Sequence, residues 1–409
     1  LSYNARDLAV VRAKMHHGIA LLGSATPSVQ SYYNVEAGKY VLARLTRRIE
    51  YRSLPEVTVV DLRASRDSRG YRRIISQPLY RALQSTLERG EQALLFLNRR
   101  GFASYPVCAA CGASIKCPHC DISLTLHQSA GAYKCHYCGF SRAVASTCPA
   151  CAAPHIKNLG LGTEKIEGLI QSLFPTARVA RMDADTTAGK GALLGLLKGL
   201  RNRTIDILVG TQMVAKGHDF PHITLVGILC ADLSLNFPDF RAGERTFQLL
   251  AQVSGRAGRG TAPGRVVLQT YNPDHFSIAA AEQHDFEAFC RQELRFRKEL
   301  NYPPFTRMIQ IKLACKDPVL ARQQAQLLGD ICQRLRKSRK DFSKSVEILG
   351  PIEAPLSRLA GYYRWQILLK GHPVKILHRF AQILMFEKQT LWRNRHVRVA
   401  VDVDPFSMM

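Results

Sequence analysis

Two sets of residues in this chain are spaced for chemistry. The first is a cysteine run, Cys108-x2-Cys111-x5-Cys117-x2-Cys120-x14-Cys135-x2-Cys138-x9-Cys148-x2-Cys151. Each Cys-x-x-Cys pair can grip one face of a metal ion with two thiolates, and a structural zinc takes four ligands. Eight ligands therefore imply two ions, and three pairings of the four pairs are open. The nested one places Cys117, Cys120, Cys135 and Cys138 on one zinc, across a loop of ordinary zinc-ribbon length. Cys108, Cys111, Cys148 and Cys151 then clamp the stem with the other. An iron–sulfur cluster is the competing reading, and the paired spacing favours zinc. Four-sulfur sites leave no open coordination position, so the role is structural. His119 and His136 lie inside the pairs and are read as exposed residues rather than ligands. Cys230, Cys290, Cys315 and Cys332 are scattered and read as small core residues.

The second set is AQVSGRAGR (251–259), in which Arg256 and Arg259 stand beside Gly255 and Gly258 after an amphipathic run. Guanidinium forks freed to reach past small residues suit a phosphate, which they can bind bidentately. The rest of a phosphate cradle is missing from the sequence. The Walker pattern GxxxxGK[ST] does not occur, and DTTAGKG (185–191) departs from it at Ala184 and Gly191. No Asp-Glu pair follows an apolar strand to hold magnesium.

These residues need a scaffold, and the apolar pattern supplies one. Short runs at IALLG (19–23), VTVVDL (57–62), ALLFL (93–97), ARVARM (177–182), IDILVG (205–210), LVGIL (225–229) and RVVLQT (265–270) alternate with helical periods. That alternation predicts a parallel sheet flanked by helices, with ligands at the carboxyl ends of its strands. GSATPS (23–28), GTQMVAKGHDFP (210–221) and the arginine segment fall in such loops or at helix ends. Beyond about residue 285 the pattern changes to basic helical tracts and to strands at YRWQILLKG and HVRVAVDVDP, which predicts a separate α+β domain. The net charge of +25 points to nucleic acid. Residues 291–345 alone carry 14 Lys/Arg against 5 Asp/Glu. No apolar run approaches the roughly 20 residues of a membrane span, and no signal peptide is recognisable at Leu1.

Taken together, GSATPS, LFLNRRGFA, GTQMVAKGHDFP, PDFRAGERTFQLLAQVSGRAGR and the eight cysteines resemble the C-terminal part of the primosomal protein N′ (PriA) family of superfamily 2 DNA helicases. YPPF (302–305), GPIEAPL (350–356) and DVDP (402–405) extend the resemblance over the chain. It implies a RecA-like helicase lobe with an inserted double-zinc module and a C-terminal α+β domain. Residues 1–46 would end a first lobe, 47–74 connect, 75–105 and 154–285 form the second lobe, 106–153 the insertion, and 286–409 the basic domain. Ser24 and Thr26 match motif III, and Gly217 with Asp219 match motif V; both couple nucleotide state to movement. Gln252, Arg256 and Arg259 match motif VI, whose arginines reach the γ-phosphate of ATP. DNA contacts are expected from Arg99, Arg100, Thr211, Gln212 and Lys216, and from Arg364 and Trp365, whose alternating strand pattern equally suits a half-buried sheet.

The function implied is an ATP-dependent 3′-5′ helicase that recognises stalled or abandoned replication forks and starts primosome assembly. Its cofactors would be two structural zinc ions, with ATP and Mg2+ in the full-length protein. Forked and single-stranded DNA, the single-stranded-DNA-binding protein and other primosome proteins would be its partners, in the bacterial cytoplasm at the nucleoid and without a membrane. The Walker lysine and the acidic box are expected upstream of Leu1, so the chain as given should not turn over ATP. Two rivals stand beside this reading: a non-enzymatic zinc-containing DNA-binding scaffold, and another superfamily 2 fork-remodelling motor, which would lack the cysteine block.

Overall fold

The computed structural model describes residues 4–45, 54–64, 74–98, 105–127, 130–154, 156–159, 162–183, 185–189, 191–215, 220–258 and 262–408. First along the chain come α1 (Ala5–Met15), α2 (Val29–Glu36), β1 (Glu56–Asp61), α3 (Gln77–Glu88) and β2 (Gln92–Phe96). The cysteine-bearing segment adds β3 (Tyr105–Cys108), β4 (Thr125–His127), β5 (Ala132–Lys134), β6 (Ser141–Ala143) and β7 (Ile156–Leu159). Alternation resumes with α4 (Thr163–Leu173), β8 (Val179–Met182), α5 (Ala192–Arg201), β9 (Ile207–Gly210) and α6 (Gln212–Ala215). It continues through β10 (Ile223–Ile228), α7 (Asp232–Leu235), α8 (Ala242–Ser254), β11 (Arg265–Thr270), α9 (Phe276–Glu282) and α10 (Phe286–Glu299). The last elements are β12 (Arg307–Cys315), α11 (Pro318–Ser338), α12 (Lys340–Ser345), β13 (Val346–Leu359), β14 (Tyr362–Gly371), α13 (Val374–Gln382) and β15 (Arg398–Val403).

The main sheet is parallel throughout, in the order β1-β11-β10-β2-β9-β8. Its inner strands β2, β9 and β10 are buried at every residue, as expected where helices cover both faces. On one face α3 buries Leu79, Ala82, Leu83 and Thr86, the spacing of a single helical stripe. Ser76 caps this helix by accepting from Leu79 N. β1, which the sequence places in the connection between lobes, pairs in parallel with β11 and so forms the sheet's edge. IALLG (19–23) is not a strand, and Ile19 and Leu21 are 95% and 90% exposed. A strand exists through the ladder its neighbours offer, and among the described residues none lies beside this run.

The C-terminal sheet is antiparallel, in the order β13-β14-β12-β15. Period-two alternation divides its side chains cleanly. Ile309, Ile311, Leu313, Trp365, Ile367 and Leu369 face the core built with α11 and α13. Met308 and Leu368 point the other way, into a second core shared with the cysteine module.

A buried charge cluster ties α2, α8 and α10 together. Arg297 donates to Glu244 Oε2 at 2.7 Å and to Glu293 Oε1 at 2.6 Å, while Glu244 Oε1 accepts from Val29 N at 3.0 Å. Burial holds the Glu293 carboxyl above its ordinary range. At Glu244 burial pushes the same way but is outweighed by Arg297, and that carboxyl lies below its ordinary range. Glu244 is thus the anion that Arg297 neutralises. Replacing Arg297 by methionine leaves that anion buried without its counter-charge, a change that typically costs about 3–5 kcal/mol. The expected result is a clear fall in the denaturant midpoint by circular dichroism, partly restored by adding Glu244→Gln.

Candidate functional site

The cysteines lie on four turns of one design. After each second cysteine the chain enters the left-handed region, at Gly112 (φ 79°), Asp121 (φ 50°), Gly139 (φ 81°) and Ala152 (φ 59°). In every turn that residue's N–H donates to the first cysteine's carbonyl, at 2.8–3.1 Å. The first cysteine's N–H donates in turn to the carbonyl of the residue after it, Ala113, Ile122, Phe140 or Ala153, at 2.8–2.9 Å. Backbone N–H groups at Ala110, Tyr137 and Ala150 also point at Cys108, Cys135 and Cys148 Sγ, each at 3.4 Å.

The turns group as the nested pairing, with each set of four ligand atoms within 4.8 Å of one another. Sγ–Sγ separations are 3.7 Å for Cys108–Cys151 and Cys111–Cys148, and 3.6 Å for Cys117–Cys138. Thiolates about 2.3 Å from a tetrahedral zinc stand about 3.8 Å apart, so both sets fit that ion. Burial pushes the Cys117 thiol up to about 12. Cys135 is drawn down to about 5, chiefly by its hydrogen bond with Cys120.

Each set is packed against a different body. The outer one docks on the main sheet. Val107 and Ala109 join Leu62, Cys230 and Tyr271 in one small core, and a Cβ on Gly112 would lie 2.0 Å from Tyr271 O. The inner one is built into the C-terminal domain. Cys117, Cys120 and Cys135 share a core with Tyr302, Met308, Leu368 and Met408. Tyr302 Oη donates to Cys120 O at 2.8 Å, and Gln366 Nε2 to His136 O at 2.7 Å. His136 is buried, not exposed as its sequence position suggested, because its Nδ1 meets Glu353 O at 3.0 Å across this junction. His119 is exposed, its ring edge-on to Phe140.

The arginine segment ends α8. Gly258 N donates to Ile223 O at 3.1 Å, and its φ of 67° belongs to glycine. A Cβ there would stand 2.4 Å from Gly264 N, so backbone meets backbone at this turn. The turn is thus tied to the first residue of β10, and Arg256 lies within it. That side chain is 8% exposed rather than held out in solvent as the flanking glycines suggested. The GSATPS turn rests on the same helix. Ser24 Oγ accepts from Thr26 N at 3.1 Å, and Gln248 Nε2 donates to Thr26 O at 3.3 Å and Pro27 O at 3.4 Å. Together with the Glu244–Val29 bond, this joins the Ser24–Thr26 turn to the helix that ends in Gln252 and Arg256.

Gln252 faces a cleft of about 160 Å³ at the carboxyl ends of β2 and β9, which it shares with Gln212, Asn98 and Gln248. Gln212 Nε2 donates to Asn98 Oδ1 at 2.7 Å, and Asn98 Nδ2 to Ser234 Oγ. Thr211, at the end of β9, adjoins Gln212. Arg99, Arg100, Lys216, Gly217, Asp219 and Arg259 lie outside the described residues. Trp365 packs against the core of the C-terminal sheet, away from this cleft's walls, and Arg364 Nη1 reaches Leu356 O at 3.5 Å. Arg241, Arg245 and Arg297 escaped the sequence reading. Helical spacing was the available signal for Arg297, which stands on one stripe with Phe289, Cys290 and Glu293.

Comparison with known proteins places these parts in one family. The description "Primosomal protein N C-terminal domain" matches residues 298–406, "PriA DNA helicase Cys-rich region (CRR) domain" matches 117–142, and "Helicase conserved C-terminal domain" matches 161–261. The replication restart protein PriA of Bacillus subtilis (strain 168) is 41% identical over 100% of this chain and 50% of its own length. That of Haemophilus influenzae (strain ATCC 51907 / DSM 11121 / KW20 / Rd) is 40% identical over 98% of this chain and 54% of its own length. The chain spans about half the length of the curated relatives it matches. With a RecA-like parallel sheet, a module of two four-cysteine sets and an antiparallel C-terminal domain all present in that order, the chain belongs to the PriA family.

Proposed function

We propose that this chain supplies the second motor lobe, a double-zinc module and the C-terminal domain of an ATP-dependent 3′-5′ DNA helicase. The helicase would act at stalled or abandoned replication forks and start primosome assembly. The observation that carries this reading is the seating of the Ser24–Thr26 turn on α8 through Gln248 and Glu244. A motor needs its phosphate-sensing residues mechanically joined to the segment that changes with nucleotide state, and a turn seated on the helix that leads into Arg256 supports such a role. Arg256 would face the γ-phosphate with Gln252 near it; Arg259, Gly217 and Asp219 are assigned to the same nucleotide chemistry from their motifs alone. ATP with its Mg2+ supplies the driving reaction when bound. The phosphate cradle has no counterpart in this sequence, so hydrolysis is assigned to the longer protein.

Zinc is assigned to both four-cysteine sets; each ion would be held by two of the four turns, and four thiolates would leave no position for substrate. The partners are forked and single-stranded DNA, with the single-stranded-DNA-binding protein and other primosome proteins at the fork, and the site of action is the bacterial cytoplasm. No helix among the described residues is long and apolar enough to cross a membrane.

DNA binding by this chain should need no nucleotide and should weaken steeply with salt, since released counterions drive it. If about five phosphates are neutralised, the log–log slope is about −3.5 on single strands and about −4.5 on duplex. The 291–345 excess overstates the available charge, because Arg297 is buried in its ion pairs. Fluorescence anisotropy across a salt series checks the slope. DNA-stimulated phosphate release, compared between this chain and a protein of the relatives' full length, separates motor from scaffold. Hydrolysis only by the longer protein supports the helicase; silence from both favours the zinc-containing scaffold.

A further inference from the structure

Beyond the C-terminal sheet, Pro405 and Phe406 lie over the start of α8, and Met408 returns to the core shared with the cysteine module. Arg241 Nη1 donates to Pro405 O at 2.8 Å, Arg245 Nη2 to Phe406 O at 2.5 Å, and Gln310 Nε2 to Met408 O at 3.4 Å. Pro405 and Met408 are buried, yet the Phe406 ring between them is 70% exposed. Fixing backbone costs conformational entropy, and here three side chains hold in place a segment whose largest apolar group stays in water. That ring forms one wall of the cleft lined by Asn98, Gln212, Gln248 and Gln252. Arg245, paired with Asp239 at 2.9 Å, sets its guanidinium 5.7 Å from the ring centre.

We propose that Phe406 is a stacking platform for a nucleobase of single-stranded DNA crossing the carboxyl ends of β2 and β9. The proposal rests on the DNA-binding reading above. A flat apolar ring beside several carboxamides matches a base, which has a π face and a hydrogen-bonding edge. An ion or a sugar has no such face. A duplex keeps its base faces inside the stack, so the ligand is a single strand. Stacking on an aromatic tolerates any base, which suits a protein that must travel over every sequence. The C-terminal domain would thereby lend a residue to the motor lobe's own strand path.

The test uses this chain with a thymidine oligonucleotide carrying one 5-iodouracil. Irradiation should give a cross-link that maps to Phe406 by peptide mass spectrometry. Phe406→Ala should weaken binding about tenfold, in the range measured for single aromatic–base stacks, and Phe406→Leu should do the same despite its apolar bulk. Phe406→Trp should restore binding. The salt slope should stay as in the unsubstituted chain in all three, because the ring carries no charge. A lost cross-link at Phe406, or an alanine variant binding within twofold of the original, overturns the stacking alone. Failure of the unsubstituted chain to bind the oligonucleotide overturns the DNA reading together with it.

Discussion

Arg256→Ala, introduced into a protein of the relatives' full length, is expected to lower DNA-stimulated ATP hydrolysis by about 10³-fold or more, the contribution of a guanidinium at phosphoryl-transfer charge. Nucleotide binding should persist, because in the proposed helicase most of it would come from a phosphate cradle supplied by the longer protein. Arg256→Lys should recover little, since a point charge replaces a planar fork. Phosphate release and nucleotide affinity, measured side by side, check both halves. The side chain is buried at the end of α8, so thermal unfolding of each variant must accompany the kinetics. A stable alanine variant that hydrolyses ATP normally would remove the arginine from the motor.

The second large effect is expected at the inner cysteine set. Cys117→Ser should lower the zinc content from about two equivalents to about one. The damage should extend beyond the module. Cys117, Cys120 and Cys135 share their core with Tyr302, Met308, Leu368 and Met408, so losing the ion loosens the seat of the C-terminal sheet. Structural zinc contributes about 10–16 kcal/mol in small peptides, comparable with the whole stability of an ordinary domain, about 5–15 kcal/mol. Limited proteolysis should open the 286–306 region in this variant. Cys148→Ser should instead loosen the outer set from Leu62, Cys230 and Tyr271. Metal analysis returning two equivalents for Cys117→Ser, or unchanged protease resistance, would refute the arrangement.

The sequence carried the local code plainly and the junctions poorly. Apolar runs such as ALLFL and RVVLQT became strands β2 and β11 because their composition and length suit positions buried on both faces. The cysteine spacing confined the ligand sets to a few groupings, since two thiols two residues apart can only act as a pair. IALLG failed because a strand is a property of its neighbours as much as of its own residues. RQELRFRKEL (291–300) counted toward the basic excess expected to meet nucleic acid, whereas the fold turns Arg297 inward onto Glu244, 53 positions away in sequence. Phe406 had no local signal at all. Its place depends on Arg241 and Arg245, more than 160 positions earlier.

The contact of Gly258 with Gly264 has a kinetic consequence. Side chains on an untethered loop sample new positions in nanoseconds to microseconds, but here Gly258 is held by its bond to Ile223 O and its close approach to Gly264. In the proposed motor, Arg256 would therefore gain little from fluctuation of its own segment and would cross any gap to a phosphate chiefly when the whole sheet turns. Such collective rotations run in microseconds to milliseconds. On that reading the arginine's arrival would report the position of an entire lobe, and a stroke of the motor and the sensing of its fuel would be one movement.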